Sequence, residues 1–223
     1  MDLKGLKINF LGDSITQGDA GTSSRNFAYH SVLKAECGLA EARNYGINGT
    51  RIANQQAAPT NEEEEWLFSN SFCQRFDQMD DDADVVVVFG GTNDHSAGDA
   101  PLGTFSDRTP DTFYGACHYL FRGLTLKYLG KPVVVMTPLH RDKELDLKGF
   151  HRKFDTGLLK DYVNIIREVA EYYGIPVLDL FATCAIQPEI PEHKQMYMPD
   201  GIHPNDAGHA MVARKLKNFL EAL

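Results

Sequence analysis

Four consecutive valines at positions 85–88 constrain the fold most strongly. Phe89 follows them, so this run is apolar at every position. A strand with one solvated face would alternate apolar and polar residues, whereas a parallel strand between two helical layers is buried on both faces. The run therefore predicts a central strand of a parallel sheet that helices cover on both sides.

Shorter apolar runs alternate with helical patterns along the rest of the chain. The predicted strands are residues 7–11, 42–45, 84–89, 132–136 and 176–180. The predicted helices are residues 27–37, 62–79, 112–128, 157–173 and 206–222. Strand, helix and strand in succession give right-handed crossovers and a doubly wound sheet. We expect the 223 residues to form a single α/β domain with a five-stranded parallel sheet.

Charge and cysteine spacing exclude several classes of function. The net charge of −9 repels phosphate backbones and anionic lipid, so we expect neither a nucleic-acid nor a membrane partner. The four cysteines, Cys37, Cys73, Cys117 and Cys184, form no CxxC pair and predict unpaired thiols. The only apolar run near the N-terminus, residues 8–11, is too short for a signal peptide. Together these features predict a cytoplasmic protein.

Chemistry is expected where the strands end, because ligands of doubly wound sheets bind at the carboxyl ends of the strands. Ser14 follows the first strand, Gly49 the second and Asn93 the third. Near the C-terminus, Asp200 precedes His203 by three residues, close enough for the carboxylate to reach Nδ1 of the imidazole. Ser14, Asp200 and His203 are therefore candidate nucleophile, orienting acid and base. Each residue also has a plainer interpretation, since Gly, Asp, Ser and Asn all favour turns.

Four blocks of sequence resemble the signature blocks of the SGNH hydrolases, also called GDSL-type esterases and lipases. The blocks are Gly12-Asp13-Ser14-Ile15, Gly49, Gly91-Thr92-Asn93-Asp94 and Asp200-Gly201-Ile202-His203, in the family's order from one end of the chain to the other. Ile15 stands where the family's name-giving motif has Leu, and both residues are aliphatic.

The resemblance implies a three-layer α/β/α sandwich of flavodoxin-like type and hydrolysis of carboxylic esters without metal or organic cofactor. It implies that Ser14 is the nucleophile, His203 the general base and Asp200 its partner. The oxyanion hole would consist of the Ser14 and Gly49 backbone N–H groups and the Asn93 amide.

Other residues are weaker candidates. Asp13 is expected to brace the nucleophile loop through backbone N–H groups, and Asp94 to cap or brace the loop after the third strand. We predict four possible substrate-lining residues: Asp13, His95, Phe105 and Arg141. The loops 98–110 and 139–153 are expected to select the substrate, although a plain solvated loop is an equally good interpretation of most of their residues.

A metal site is the main alternative at the C-terminal motif. Asp200, His203, Asp206 and His209 form a DxxHxxDxxH pattern. A metal needs three or four converging ligands, and Asp206 is better explained as a helix cap, so we predict no metal.

The substrate is predicted to be a small polar ester that carries a short acyl group, acetyl above all, on a carbohydrate or similar alcohol. No long apolar insertion offers a tunnel for a fatty chain. Thioesterase or lysophospholipase-type activity is the alternative, because Arg141, Lys143, Lys148, Arg152 and Lys153 could hold the phosphates of a coenzyme A thioester. The sequence contains no P-loop, which argues against a phosphate-handling enzyme on the same fold. A non-catalytic module that binds acylated sugar would have no need of Ser14, Asp200 and His203 together.

Overall fold

The sheet has five parallel strands. The computed structural model describes residues 1–147 and 157–223. The strands are β1 (Lys7–Gly12), β2 (Glu41–Gly46), β3 (Val85–Phe89), β4 (Val133–Met136) and β5 (Val177–Leu178). Their order in the sheet is β2-β1-β3-β4-β5, and all four pairings are parallel. The predicted five-stranded parallel sheet is confirmed, with the valine strand at its centre.

The described part of the chain has ten α-helices, of which the last three follow β5. They are α1 (Ser14–Gln17), α2 (Tyr29–Cys37), α3 (Glu62–Phe68), α4 (Phe72–Arg75), α5 (Thr92–Ser96), α6 (Phe113–Lys127), α7 (Leu159–Tyr172), α8 (Leu180–Thr183), α9 (Pro191–Tyr197) and α10 (Asp206–Ala222). Arg25–Phe27 and Phe76–Gln78 are short 3-10 turns.

Two hydrophobic cores lie on opposite faces of the sheet. Val86 and Val88 of β3 belong to one core, which includes buried residues of α4, α6 and α7. Val85, Val87 and Phe89 belong to the other, which includes buried residues of α2 and α10. Successive residues of a strand point to opposite faces, so an all-apolar strand feeds both cores at once. This arrangement confirms the three-layer α/β/α sandwich.

Apart from the helix predicted at 62–79, the predicted bounds lie within two residues of the observed ones, and two differences have a clear physical reason. The predicted helix 62–79 is wrong as a single helix: it ends at Phe68, where the Asn70 side-chain amide donates to the Trp66 carbonyl, and α4 begins after Ser71. The Phe72 N–H then donates to the Arg51 carbonyl at 2.9 Å, which holds α4 against the loop after β2. The last strand ends at Leu178 rather than 180, because Asp179 caps α8 by accepting from the Ala182 N–H at 3.1 Å.

The four cysteines are free thiols, three of them buried. Across residues 1–147 and 157–223, no helix has the length and apolar character needed to span a bilayer.

Candidate active site

Ser14 lies at the turn from β1 into α1. Asp13 caps this helix, and its Oδ1 accepts from the Ile15 N–H at 3.0 Å. Ser14 is the first residue of α1, where a helix supplies no acceptor for the backbone N–H. The turn therefore places both the hydroxyl and the N–H of Ser14 at the carboxyl end of the sheet.

His203 and Asp200 approach Ser14 from the segment before α10. Nε2 of His203 lies 3.0 Å from Oγ of Ser14, and Nδ1 lies 2.7 Å from Oδ2 of Asp200. The other oxygen of Asp200 accepts from the backbone N–H groups of Ile202 and His203 at 2.8 and 2.7 Å. The structure thus brings Ser14 into contact with a His–Asp pair whose histidine lies 189 residues further along the chain.

The environment of Asp200 keeps it ionised. Burial raises the pKa of this carboxyl, but hydrogen bonds from the backbone and side chain of His203 and from the Ile202 N–H outweigh burial and hold the pKa below its usual value. A carboxylate beside Nδ1 holds the ring proton there. Nε2 is then left as the acceptor that faces the Ser14 hydroxyl.

Gly49, in the loop after β2, and Asn93, in the first turn of α5, converge on the same place. Gly49 has φ near +75°, a backbone conformation that glycine adopts without strain. The Asn93 side-chain amide donates to the Thr50 carbonyl at 3.1 Å, which fixes the amide beside Gly49. The second N–H of the amide is not needed for that bond, so the site can offer an amide donor and a backbone donor side by side.

The carboxylate of Asp94 anchors the loop after β2, which contains Gly49. Its two carboxylate oxygens accept from the Ile52 and Ala53 backbone N–H groups, both at 2.9 Å. Burial raises the pKa of Asp94 to about 6, and the two backbone hydrogen bonds oppose that rise. Of the roles weighed for Asp94, the structure therefore shows the bracing one.

A cavity of about 710 Å³ opens beside these groups. Gly49, Asn93 and Asp200 line it, while Ser14 and His203 adjoin it without forming its wall. Its apolar side comes from Ile47, Trp66, Leu67 and Ile202, and polar and charged side chains complete the wall. The carboxyl ends of β1, β2 and β3 thus frame a space large enough for a small-molecule ligand.

The described contacts agree with a comparison against known families. The family model of the GDSL-like lipase/acylhydrolase family matches residues 10–211. The chain belongs to this family. Among curated proteins, none matches the chain.

Solved structures of similar proteins share the fold of this chain. A protein from Lactobacillus plantarum is 30% identical, with 98% of each chain covered and a TM-score of 0.83. A possible lipase from Chitinophaga pinensis is 22% identical, with 97% of this chain and 98% of the other covered and a TM-score of 0.68. An acetyl xylan esterase is also 22% identical, with 96% and 98% covered and a TM-score of 0.62. The last two similarities show the fold alone.

Two of the four predicted substrate-lining residues border the cavity of this GDSL-like protein. His95 and Arg141 are both in its wall. Nε2 of His95 lies 3.2 Å from the Asp146 carbonyl, and Nη1 of Arg141 donates to the carbonyl and hydroxyl oxygens of Thr92. Both side chains are buried, so they shape the wall while they hold neighbouring loops.

The other two do not line the cavity. Asp13 is buried beneath Ser14, where its carboxylate braces α1, and burial raises its pKa to about 6. Phe105 packs edge-on against Tyr114, His118 and Tyr172, on the face of the sheet that α6 and α7 cover. The loop 98–110 turns away from the cavity at this point, so Phe105 does not line it. Lys148, Phe150, Arg152 and Lys153 lie outside the described residues.

Sequence reasoning missed the contribution of α3. Trp66 and Leu67 of this helix line the cavity, and the Leu67 side chain packs over Gly49. Arg51, two residues after Gly49, also lines it. For Arg51, the only signal in the sequence is that it lies two residues after Gly49. For α3, no pattern in residues 62–68 shows which face of the helix meets the site.

The alternative metal pattern does not converge in the described part of the chain, where no group of three His, Cys, Asp or Glu residues could hold an ion. Asp206 accepts from the backbone N–H and hydroxyl of Ser23, and Asn205, not Asp206, caps α10. His209 is fully buried, accepts from the Tyr29 N–H at Nδ1 and lies parallel to the Tyr29 ring. His209 is thus a core residue.

His209 should make the stability of the fold depend on pH. Burial lowers the pKa of His209 to about 4 in the folded protein. As pH falls below about 6.5, His209 is therefore protonated in the unfolded chain while it is still neutral in the folded one. Stability from neutral His209 is present above that pH and is lost as pH falls towards 4. We expect urea unfolding to show that, between pH 7 and pH 4, the free energy of unfolding falls by about 3 kcal/mol more in the wild type than in His209→Gln.

The difference between the two proteins isolates His209, because Asp13 and Asp94, whose raised pKa values act in the opposite direction, are present in both. His193→Gln, at a partly exposed position, serves as the control. Equal pH dependence of wild type and His209→Gln would contradict the prediction.

Proposed function

We propose that this protein is a serine-dependent carboxylic ester hydrolase that removes short acyl groups, acetyl above all, from a carbohydrate or another polar alcohol. The observation that carries the proposal is the continuous contact from Asp200 through His203 to the Ser14 hydroxyl, at 2.7 and 3.0 Å. Nucleophile, base and orienting group in mutual contact are the arrangement that acyl transfer requires. A module that only binds acylated sugar would have no use for it.

In the first half of the reaction, His203 Nε2 takes the proton of Ser14 while Oγ attacks the ester carbonyl carbon. The imidazolium that results keeps its contact with the Asp200 carboxylate. His203 then gives the proton to the alcohol oxygen, the bond from carbon to that oxygen breaks, and the acyl group stays on Ser14.

The negative charge on the former carbonyl oxygen needs donors that are in place before the reaction. The Ser14 and Gly49 backbone N–H groups and the Asn93 amide are the candidates in this chain. Asn93 is held by Thr50 and Gly49 by its loop, so little reorganisation is needed when charge develops. In the second half, His203 Nε2 takes a proton from water while the water oxygen attacks the acyl carbon. The bond from that carbon to Ser14 Oγ then breaks, His203 returns the proton to Oγ, and the free acid leaves.

The cavity supports a small polar substrate. Its polar and charged wall residues suit hydroxyl groups, and each methylene of a longer acyl chain would need apolar wall for about 0.8 kcal/mol of transfer energy. The similarity of fold to an acetyl xylan esterase is in keeping with a sugar ester. We also propose that the enzyme works in the cytoplasm, where its four thiols stay reduced, and without nucleic-acid or membrane partners.

Covalent labelling tests the reaction class. An organophosphonate should modify Ser14 and abolish ester hydrolysis, because a phosphonylated serine cannot accept an acyl group. Mass spectrometry of the digested protein identifies the labelled residue. A chelator should leave the rate unchanged, and a rate lost on chelation and restored by a divalent cation would overturn the proposal.

Asn93→Ala tests the oxyanion donor. We expect kcat to fall about 10² to 10³-fold with a smaller change in KM, because the donor acts on charge that develops in the transition state. Asn164→Ala, exposed on α7, is the matched control and should leave kcat unchanged. A raised KM with unchanged kcat would make Asn93 a substrate contact only.

An ester series tests the acyl group. Along chromogenic esters from acetyl to octanoyl, kcat/KM should be highest for the shortest chains, because polar and charged side chains share the cavity wall with the apolar ones and cannot bury a long hydrocarbon chain. Acetyl-coenzyme A is assayed beside them. Octanoyl esters that react tenfold faster than acetyl esters, or a thioester that reacts faster than an acetylated sugar, would favour thioesterase or lysophospholipase-type activity instead.

A further inference from the structure

Arg51 is a buried cation whose hydrogen bonding is incomplete within the described protein. Only 9% of the residue is exposed. Nη2 donates to the Ala97 carbonyl at 3.1 Å, and the guanidinium lies over the Phe68 ring, 5.6 Å from its centroid. Nε and Nη1 have no partner among residues 1–147 and 157–223. Buried N–H groups without an acceptor are costly and uncommon, and more so on a charged group.

Arg51 lies where two cavities meet. It lines the 710 Å³ cavity beside Ser14 and also a second cavity of about 270 Å³. Glu63, Leu67 and Ala97 line both as well, so the two spaces adjoin. Side chains found only in the second include Gln55, Asn61, Glu64 and Asp99. Nε and Nη1 are covered in this structure, so a ligand that extends from one cavity towards the other supplies their acceptor once the side chains over Arg51 shift.

The charges around Arg51 favour a neutral ligand. Burial lowers the pKa of Arg51, and the negative charges of Asp94, Asp99 and Glu64 oppose that effect. These carboxylates already balance the positive charge of the guanidinium. An anionic ligand would be repelled by the carboxylates, and this repulsion would offset its attraction to Arg51. A neutral ligand with several hydroxyl groups gains the hydrogen bonds without that repulsion.

Trp66 adds an apolar surface to the same cavity. It is 53% exposed and belongs to α3, a helix with no buried residue. The indole is thus not required by the core, and its face is available to a ligand. A sugar ring has apolar C–H faces and a rim of hydroxyl groups, which match an aromatic face and a guanidinium with free donors.

We propose that Arg51 binds hydroxyl oxygens of a neutral sugar in the alcohol part of the substrate, at the junction of the two cavities. This assignment rests on the proposed esterase function and makes Arg51 a specificity residue of that site. Its consequence is a preference for acetylated neutral disaccharides over simple acetate esters.

Kinetics of Arg51→Met provide the first test. We expect KM for a mono-acetylated neutral disaccharide to rise at least tenfold, and the loss of kcat/KM to exceed the loss on methyl acetate by at least tenfold. Arg51→Lys should show the same selective loss, because an ammonium cannot place two donors as a planar guanidinium does. Arg122→Met, exposed on α6, is the control and should show no selective loss. Equal losses on both esters would mean that Arg51 is structural and would overturn the proposal.

Fluorescence provides a test that needs no catalysis. Trp66 is the only tryptophan of the chain and lines the cavity, so its emission reports a ligand there directly. Wild-type protein should bind the unacetylated neutral disaccharide, and bind it more tightly than the matching disaccharide that contains a uronic acid. Tighter binding of the acidic sugar, or no response to the neutral one, would overturn the proposal even if Arg51 variants fail to fold. Absence of any ester hydrolysis would instead refute the esterase function, whatever the sugar titration shows.

Discussion

A single buried guanidinium ties together the strand ends on which the site depends. Nη2 of Arg75 donates to the Gly12 carbonyl at 2.7 Å and to the Thr50 hydroxyl at 3.2 Å, while Nη1 donates to the Tyr45 carbonyl. The Gly12 carbonyl also accepts from the Ile47 N–H at 3.1 Å, and carbonyl groups at the buried ends of strands are completed by donors from outside the sheet. Arg75 supplies them for β1 and β2 at once. Burial lowers its pKa to about 10, and the Asp13 charge opposes that effect, so the guanidinium stays charged.

Close backbone packing at this point leaves no room for side chains. A Cβ at Gly46 would lie 2.2 Å from the Gln17 nitrogen, and one at Gly12 would lie 1.9 Å from Oγ1 of Thr16. Both strands therefore end in glycine where α1 packs across them. The position of Ser14 is set by this packing, by Arg75 and by the Asp13 cap, which are all independent of the substrate.

The sequence was sufficient to predict the sheet, because the strands are short apolar runs in a periodic order and the valine run admits few other folds. It was sufficient to nominate Ser14, because Ser14 follows a predicted strand, and Asp200 and His203, because their three-residue spacing lets the carboxylate reach the imidazole. Arg75 could not be assigned in this way, since the periodicity of 62–79 does not show that the chain breaks at Asn70. The position of Phe105 was mispredicted for a similar reason: an aromatic residue in a loop that starts at the site packs wherever apolar surface is nearest, here on α6 and α7.

Adjacent residues of α5 explain why the loop after β2 reaches the site in a fixed shape. Asn93 holds the Thr50 carbonyl, and Asp94 holds the Ile52 and Ala53 N–H groups, so one short helix constrains both sides of Arg51. Because α5 follows β3, the central strand, this constraint is transmitted directly from the middle of the sheet. Asp13 likewise holds backbone with its carboxylate, because it caps α1. Its charge interacts with His203 as well as with Arg75. His203 thus lies near two carboxylates that also hold the backbone: Asp200 contacts its Nδ1 and accepts from the Ile202 and His203 N–H groups, and Asp13 accepts from the Ile15 N–H.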